Sequence, residues 1–421
     1  MTSGTPTSAP IALGPGNLTP DAVAALSASR TEPDWLHDAR QAAVERYTAT
    51  PWPTGAEEEW RRTSLRGLPV QSSLDEDAAT EVSALDPDSV ARGVVFASLA
   101  DAAREHPDLV RPLLSKPAEG PATHAAFWHL AHATWATGTF LYVPPNVTVD
   151  LVLRARTVAG RADGAAFPVT YVIVGEGSEV TLLEEFSSPD GIPSWFGGIV
   201  DLRAERGARV RYASLQLLGD QAWRVSAQRV IVGPDAVVTT LNAEIGSKVT
   251  KLGLDVRMTG TGGTSRLLGL LAAGDDQKID INSVQDLIGS HTTSDLLYLS
   301  ALYDQAHAAF YGMTRVRSEA KQTSSYQECR NLLLSPGAGA EPIPVLEIET
   351  NDILRCGHGA TAGAIDPTQM FYAQTRGLTA DEAERMIVRG FFERAVADIG
   401  SEPIRARVLA ALASRIGQEA A

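Results

Sequence analysis

Cysteine is almost missing: the 421 residues include two, Cys329 and Cys356. Two thiols cannot form a disulfide framework, and their scarcity fits a reducing compartment. Alone they also fall short of the four ligands of a self-contained zinc or iron–sulfur site. Long apolar runs are missing too, since none approaches the ~20 residues that span a bilayer. The opening stretch MTSGTPTSAPIALGPGNLTP has no basic segment followed by an apolar one, so no secretory signal is expected. Positive charge is in deficit, with 36 Lys and Arg against 51 Asp and Glu and a net charge of −15. Such a surface repels phosphate backbones and anionic lipid, so neither nucleic acid nor a membrane is an expected partner. A soluble cytoplasmic protein is the expectation.

Several catalytic signatures are absent as well. There is no G-x-x-x-x-G-K-[ST] loop; Ile245–Thr250 (IGSKVT) lacks the first Gly and the Ser or Thr after Lys. The chain is therefore not expected to bind or hydrolyse ATP. No G-x-S-x-G elbow and no H-E-x-x-H occurs. An enzyme is not expected.

What is present divides into three parts: residues 1–138, 139–364 and 365–421. The first 20 or so residues, rich in Thr, Ser, Pro and Gly, read as a mobile arm. Thr19 can cap a helix starting at Pro20. Trp35, Ala39, Ala42, Ala43 and Tyr47 then recur at helical spacing, and further helices are expected over 99–106 and 124–137. From about Gly138 the chain becomes short β-branched runs broken by turn residues. The landmarks Asn146, Gly177, Gly207, Asp235 and Gly263 are spaced by 31, 30, 28 and 28 residues. That quasi-period, without long intervening helices, points to stacked coils in a β-helix solenoid. The open sheet ends of a solenoid need covering, and the flanking helical regions suit that task. At the C-terminal side, Asp366-Pro367 opens a short helix that Gly377 ends. Thr379 and Glu382 form a capping box for the next helix, with Ala383, Met386, Ile387, Gly390 and Phe391 on one face. Ser401 can cap a last helix carrying Ile404, Val408, Leu412 and Ile416.

Candidate chemistry gathers in ETNDILRCGHGATAG. Cys356 and His358 are two apart, so on a strand they point to one side, and thiolate plus imidazole could share a soft metal ion. On the residues alone, a small buried thiol and a hydrogen-bonded surface imidazole are the simpler account of the pair. His124, His129 and His132 lie in an apolar helical run without a carboxylate, which reads as structural. His291 falls at a turn, where it could contact a partner or ion. Asp275, Asp276 and Asp280 read as a solvated turn.

The stretch KQTSSYQECRNLLLSPGA, then PVLEIETNDILRCGHGATAGAIDPTQMFYAQTRGL, then ERMIVRGFFERAV resembles the SufB/SufD family of iron–sulfur cluster assembly scaffolds. PWPTGAEEEWRRT and GTFLYVPPNV resemble family segments more loosely. Within the family the chain looks like SufD, because Cys356 and His358 stand in a C-x-HGAT setting. The resemblance implies a right-handed parallel β-helix with helical ends. It implies a non-catalytic scaffold subunit that pairs with SufB through the β-helix and docks the SufC ATPase through its C-terminal helices. It matches His358 to a histidine implicated at the SufB interface, where iron or a nascent cluster sits transiently, and Cys356 to a nearby family cysteine. The missing ligands would then come from the partner. By the same resemblance, a flavin is associated with some complexes of the family, and the isolated chain can form a homodimer. Two other readings stay open: a β-helix enzyme acting on acidic polysaccharide, and a SufB-like homodimeric scaffold.

Overall fold

The computed structural model describes residues 13–419. Residues 1–12, where most of the expected mobile arm falls, lie outside the described residues. From Leu13 the chain is packed: Leu13 and Leu18 are buried, Leu13 N–H donates to Val70 O (3.0 Å), and Tyr47 Oη–H donates to Leu13 O (2.7 Å). Thr19 caps the helix Pro20–Ser29, its Oγ1 accepting from Ala22 N–H at 3.2 Å. The helix Asp34–Ala49 follows, and later Leu99–Glu105 and Ala125–Thr134. The last of these is shorter than expected, because His124 belongs to a 3₁₀ turn and Trp135 is extended.

From Thr139 the chain winds through eight turns of a β-solenoid that ends at Gly363. Each turn gives one strand to each of two parallel sheets. The first runs from Thr139–Val143 to Gly339–Ile348, and the second from Thr148–Val158 to Ile353–Gly363. The bend from first to second sheet carries one left-handed residue in each of the first seven turns: Asn146, Gly177, Gly207, Asp235, Gly262, His291 and Gln322, with φ between 55° and 77°. Each of these donates its N–H to a carbonyl of the next turn, from Asn146 to Glu176 O (2.7 Å) through Gln322 to Asp352 O (2.7 Å). This ladder is the physical origin of the sequence period, since Gly, Asn and Asp tolerate positive φ best. The landmark at Gly263 is off by one residue, the left-handed position being Gly262.

Alternation along the strands sets what fills the solenoid. Leu141, Val172, Leu202, Val230 and Val256 of the first sheet face Val180, Leu182, Val210 and Val238 of the second in one apolar core. Polar groups enter the same interior. Glu184 is fully buried and accepts from Thr139 Oγ1 (2.6 Å), Thr170 Oγ1 (2.7 Å) and Tyr212 Oη (2.7 Å). Burial raises its pKa, against those three hydrogen bonds.

The helical regions do not cover the ends of the solenoid; they clad its faces. Leu36, Val44 and Phe127 of the N-terminal region pack with Val169, Ile199 and Val225 on the first sheet. Val388, Phe392, Val396, Ile404 and Val408 pack with Leu183, Leu215, Leu241, Leu268 and Leu297 on the second. The reason is compositional: both outer faces carry Leu, Val and Ala that need burial more than the small ends do. The start of the solenoid is closed instead by two antiparallel strands, Val95–Ser98 against Thr139–Val143 and Ala79–Val82 against Thr148–Val158. Among the described residues no such strand follows at the other end. Gly339–Ile348 and Ile353–Gly363 are half-buried or exposed along their whole length.

The capping box at Thr379 and Glu382 forms as expected, in both directions. The face it introduces is rotated from the expected one. Ala383, Val388, Phe392, Ala395 and Val396 are buried, whereas Met386 is 51% exposed. Ile387-Val388 and Phe391-Phe392 are adjacent apolar pairs, so spacing alone could not select which member faces the sheet.

Candidate functional site at the open end

The last strand of the second sheet, Ile353–Gly363, is in parallel register with Thr323–Leu333, with a bulge between Thr323 and Ser324. Register fixes the side-chain directions. Cys356 follows the column Val180, Val210, Val238, Ser265, Ser294 and Ser325. The valines of that column belong to the interior core, and Cys356 packs against it. His358 follows Leu182, Tyr212, Thr240, Leu267, Leu296 and Gln327, also an inward column. Both side chains therefore turn toward the interior at the mouth of the solenoid. Cys356 is half-buried and His358 exposed.

Gln327, one turn behind His358, reaches across the interior to the Gly312 carbonyl (3.2 Å) and the Thr314 N–H (3.1 Å) of the first sheet. It forms a polar floor under the mouth. Cys329, in register with Ala360, is buried and receives a weak bond from Asn331 Nδ2 (3.7 Å). Burial pushes its thiol up to about 12, and burial also raises that of Cys356. Both are thiols at neutral pH, so a metal or cluster would have to displace a proton to bind either sulfur. Among the described residues no three His, Cys, Asp or Glu side chains come together as a metal-holding group. Cys356 and His358 supply two donors and an accessible mouth.

The outward side of the same strand is bare at Gly357 and Gly359. Arg355 lies over the Tyr326 ring at 4.2 Å. Beside it, Glu328 holds Arg394 in two bonds (3.0 and 2.6 Å), which ties the helix Ala380–Asp398 to the penultimate turn.

The other sequence candidates are dispersed. His132 bridges Trp128 O (2.8 Å) and Tyr171 Oη (2.9 Å), and burial lowers its pKa to about 4. His124 is fully buried beside Trp60, with ring centroids 5.0 Å apart. His291 is a left-handed turn residue in the ladder. Asp280 leaves its acidic neighbours to bind Lys251 Nζ at 2.7 Å, whereas Asp275 sits in a turn and donates its backbone N–H to the Asp304 carboxylate. Sequence reasoning placed Met386 on an apolar face of the C-terminal helices but missed the exposed aromatics of the short helix before it. Phe371 and Tyr372 are exposed at 67% and 60%, and a cleft of about 330 Å³ beside Met386 is lined by Arg385, Arg389, Phe392, Leu409 and Leu412. Consecutive aromatics on a nine-residue helix with one buried residue, Ala373, were the available signal.

Residues 157–391 match the family described as "SUF system FeS cluster assembly, SufBD core domain". An iron–sulfur cluster assembly SufBD family protein of Mycobacterium leprae is 32% identical over 220 residues, which is 51% of this chain and 56% of that protein. One from Mycobacterium tuberculosis is 33% identical over 220 residues, covering 51% and 55%. One from Staphylococcus saprophyticus is 27% identical over 303 residues, covering 72% and 64%. The chain thus spans about half the length of the mycobacterial relatives it matches. The matched region takes in most of the solenoid, Cys356, His358 and the first C-terminal helices.

Proposed function

The chain belongs to the SufBD family of the SUF iron–sulfur cluster assembly system, and from that premise we propose that it is a SufD-like, non-catalytic scaffold subunit. In this reading a SufB-like subunit joins the open end of the solenoid, and a SufC-like ATPase docks on the C-terminal helices. The observation that carries it is the placement of Cys356 and His358. They enter an uncovered mouth from one strand as an incomplete donor pair. A soft sulfur donor beside an imidazole suits iron or a nascent cluster as cargo, and a partner closing the mouth would bring the remaining donors. No helix of the described residues is long and apolar enough to cross a membrane.

The test is co-expression with SufB-like and SufC-like subunits, followed by anaerobic reconstitution. The reading expects a stoichiometric complex that forms cluster, and an isolated chain, monomeric or homodimeric, that forms none. Stable cluster on the isolated chain would instead make it a SufB-like homodimeric scaffold. Failure to join either subunit would end the proposal.

A further inference from the structure

The side-chain column that ends at Cys356 changes character along the solenoid. Its first three members are Val180, Val210 and Val238, and its next three are Ser265, Ser294 and Ser325. The valines lie in the interior core, so a branched, wholly apolar side chain fits this position. A serine there carries a hydroxyl into the interior, which costs stability unless the hydroxyl finds a partner. Ser294 has one, since its Oγ accepts from Gln285 Nε2 at 2.8 Å. Ser325 has none. It is 1% exposed, and among the described residues nothing hydrogen-bonds its Oγ.

Register shows what that hydroxyl stands beside. Ser325 pairs with Cys356 on the last strand, and both side chains enter the interior on one column. Neighbouring strands lie about 4.8 Å apart, so the Cys356 sulfur is the acceptor that the final turn sets in front of Ser325. The neighbouring inward residue, Gln327, is already committed to the backbone of the first sheet. A neutral thiol accepts hydrogen bonds weakly, which accounts for an unbonded hydroxyl in the free chain. A thiolate held by a metal ion accepts strongly.

We propose that Ser325 is a positioning residue for the cargo: its Oγ–H donates to the Cys356 sulfur once that sulfur is deprotonated and bound to metal, and fixes its direction at the mouth. The thiol proton leaves to solvent through the open mouth, and Ser325 keeps its own. The proposal rests on the reading of Cys356 and His358 as a donor pair and adds the group that holds the sulfur. Partners behind the ligands set both the orientation and the electronic character of a metal-bound sulfur. A serine present only for its small size would gain nothing from its hydroxyl.

Cobalt(II) binding by the complex of the full chain with a co-expressed SufB-like subunit tests this, with cobalt as the probe in place of iron. The part of the sulfur-to-cobalt charge-transfer absorption that Cys356→Ser removes belongs to this sulfur. Ser325→Ala takes a hydrogen bond from the sulfur and raises its lone pairs in energy, so that absorption should move to longer wavelength. Cobalt affinity should fall about tenfold or more, the usual cost of losing a group that orients a metal ligand. Ser325→Thr keeps the hydroxyl and has the shape of the valines in this column, so it should restore both. The free Ser325→Ala chain should unfold at the parent temperature or above, because the hydroxyl bonds nothing there. An unshifted absorption, or a shift that Ser325→Thr leaves in place, overturns the role of the hydroxyl and leaves the donor pair standing. If no absorption depends on Cys356, the donor pair itself falls, and this inference with it.

Discussion

His358 stands in register with Gln327 one turn behind it, and both side chains enter the solenoid from the same sheet. Gln327 is held by the opposite sheet, whereas His358 has no following turn to pack against. A side chain so placed contributes little to folding. His358→Ala should therefore change stability by no more than about 0.5 kcal/mol, as exposed substitutions do. Cluster formed per assembled complex should fall sharply, and less so for Cys356→Ser. Reconstitution yield measured beside thermal unfolding checks this. A normal yield would return His358 to a surface imidazole.

The two thiols should separate by reactivity. Both pKa values are raised by burial, Cys329 to about 12, and the thiolate is the reactive form. Iodoacetamide at neutral pH should modify half-buried Cys356 slowly and leave Cys329 untouched in the native chain. The Cys356 rate should climb as pH rises through and beyond the ordinary thiol range. Peptide mapping after timed quenching reads both sites, and prompt native labelling of Cys329 would contradict its buried placement.

Inside the solenoid, Arg224 Nη1 bonds Glu244 Oε2 at 2.6 Å, with both side chains withdrawn from solvent. Removing one member strands the other charge. Arg224→Met should cost about 3–5 kcal/mol, while the double replacement Arg224→Met/Glu244→Met should recover most of that loss. Urea unfolding of the two single variants and the double variant measures the coupling. Strictly additive losses would show that the pair does not act as a unit.

How much was legible follows from which constraints are local. The solenoid period shows in the sequence because Asn146, Gly177, Gly207 and Asp235 are residue types suited to positive φ. It fades at His291 and Gln322, which hold the same turn position with unremarkable side chains. Caps at Thr19, Asp366 and Thr379 are visible for the same local reason. The alternation that puts Cys356 and His358 on one side is also local. That this side is the interior of an uncovered mouth depends on register with six earlier turns. The carboxyl of Glu184 and its donors Thr139, Thr170 and Tyr212 are brought together only by coil stacking, so no short motif announces them.

The placement of the C-terminal helices alters how ATPase docking should be tested. Val408 and Leu412, on the last of the helices expected to dock the ATPase, are buried against the second sheet with Val388 and Phe392. Deleting the chain after Gly377 would uncover Leu183, Leu215, Leu241, Leu268 and Leu297 together. The shortened chain should aggregate, and its failure to bind would say nothing about docking. The apolar groups that remain outside are Phe371, Tyr372 and Met386. Phe371→Ala, Tyr372→Ala and Met386→Asp should each leave unfolding within about 0.5 kcal/mol of the parent, being exposed positions. Buried anchors of this type contribute 2 kcal/mol or more at interfaces, so the aromatic substitutions should weaken binding of a SufC-like subunit by about 30-fold or more. Titration calorimetry against the purified ATPase subunit decides the matter. If all three variants bind like the parent, docking uses a different surface and the cleft beside Met386 serves only the packing of the two last helices.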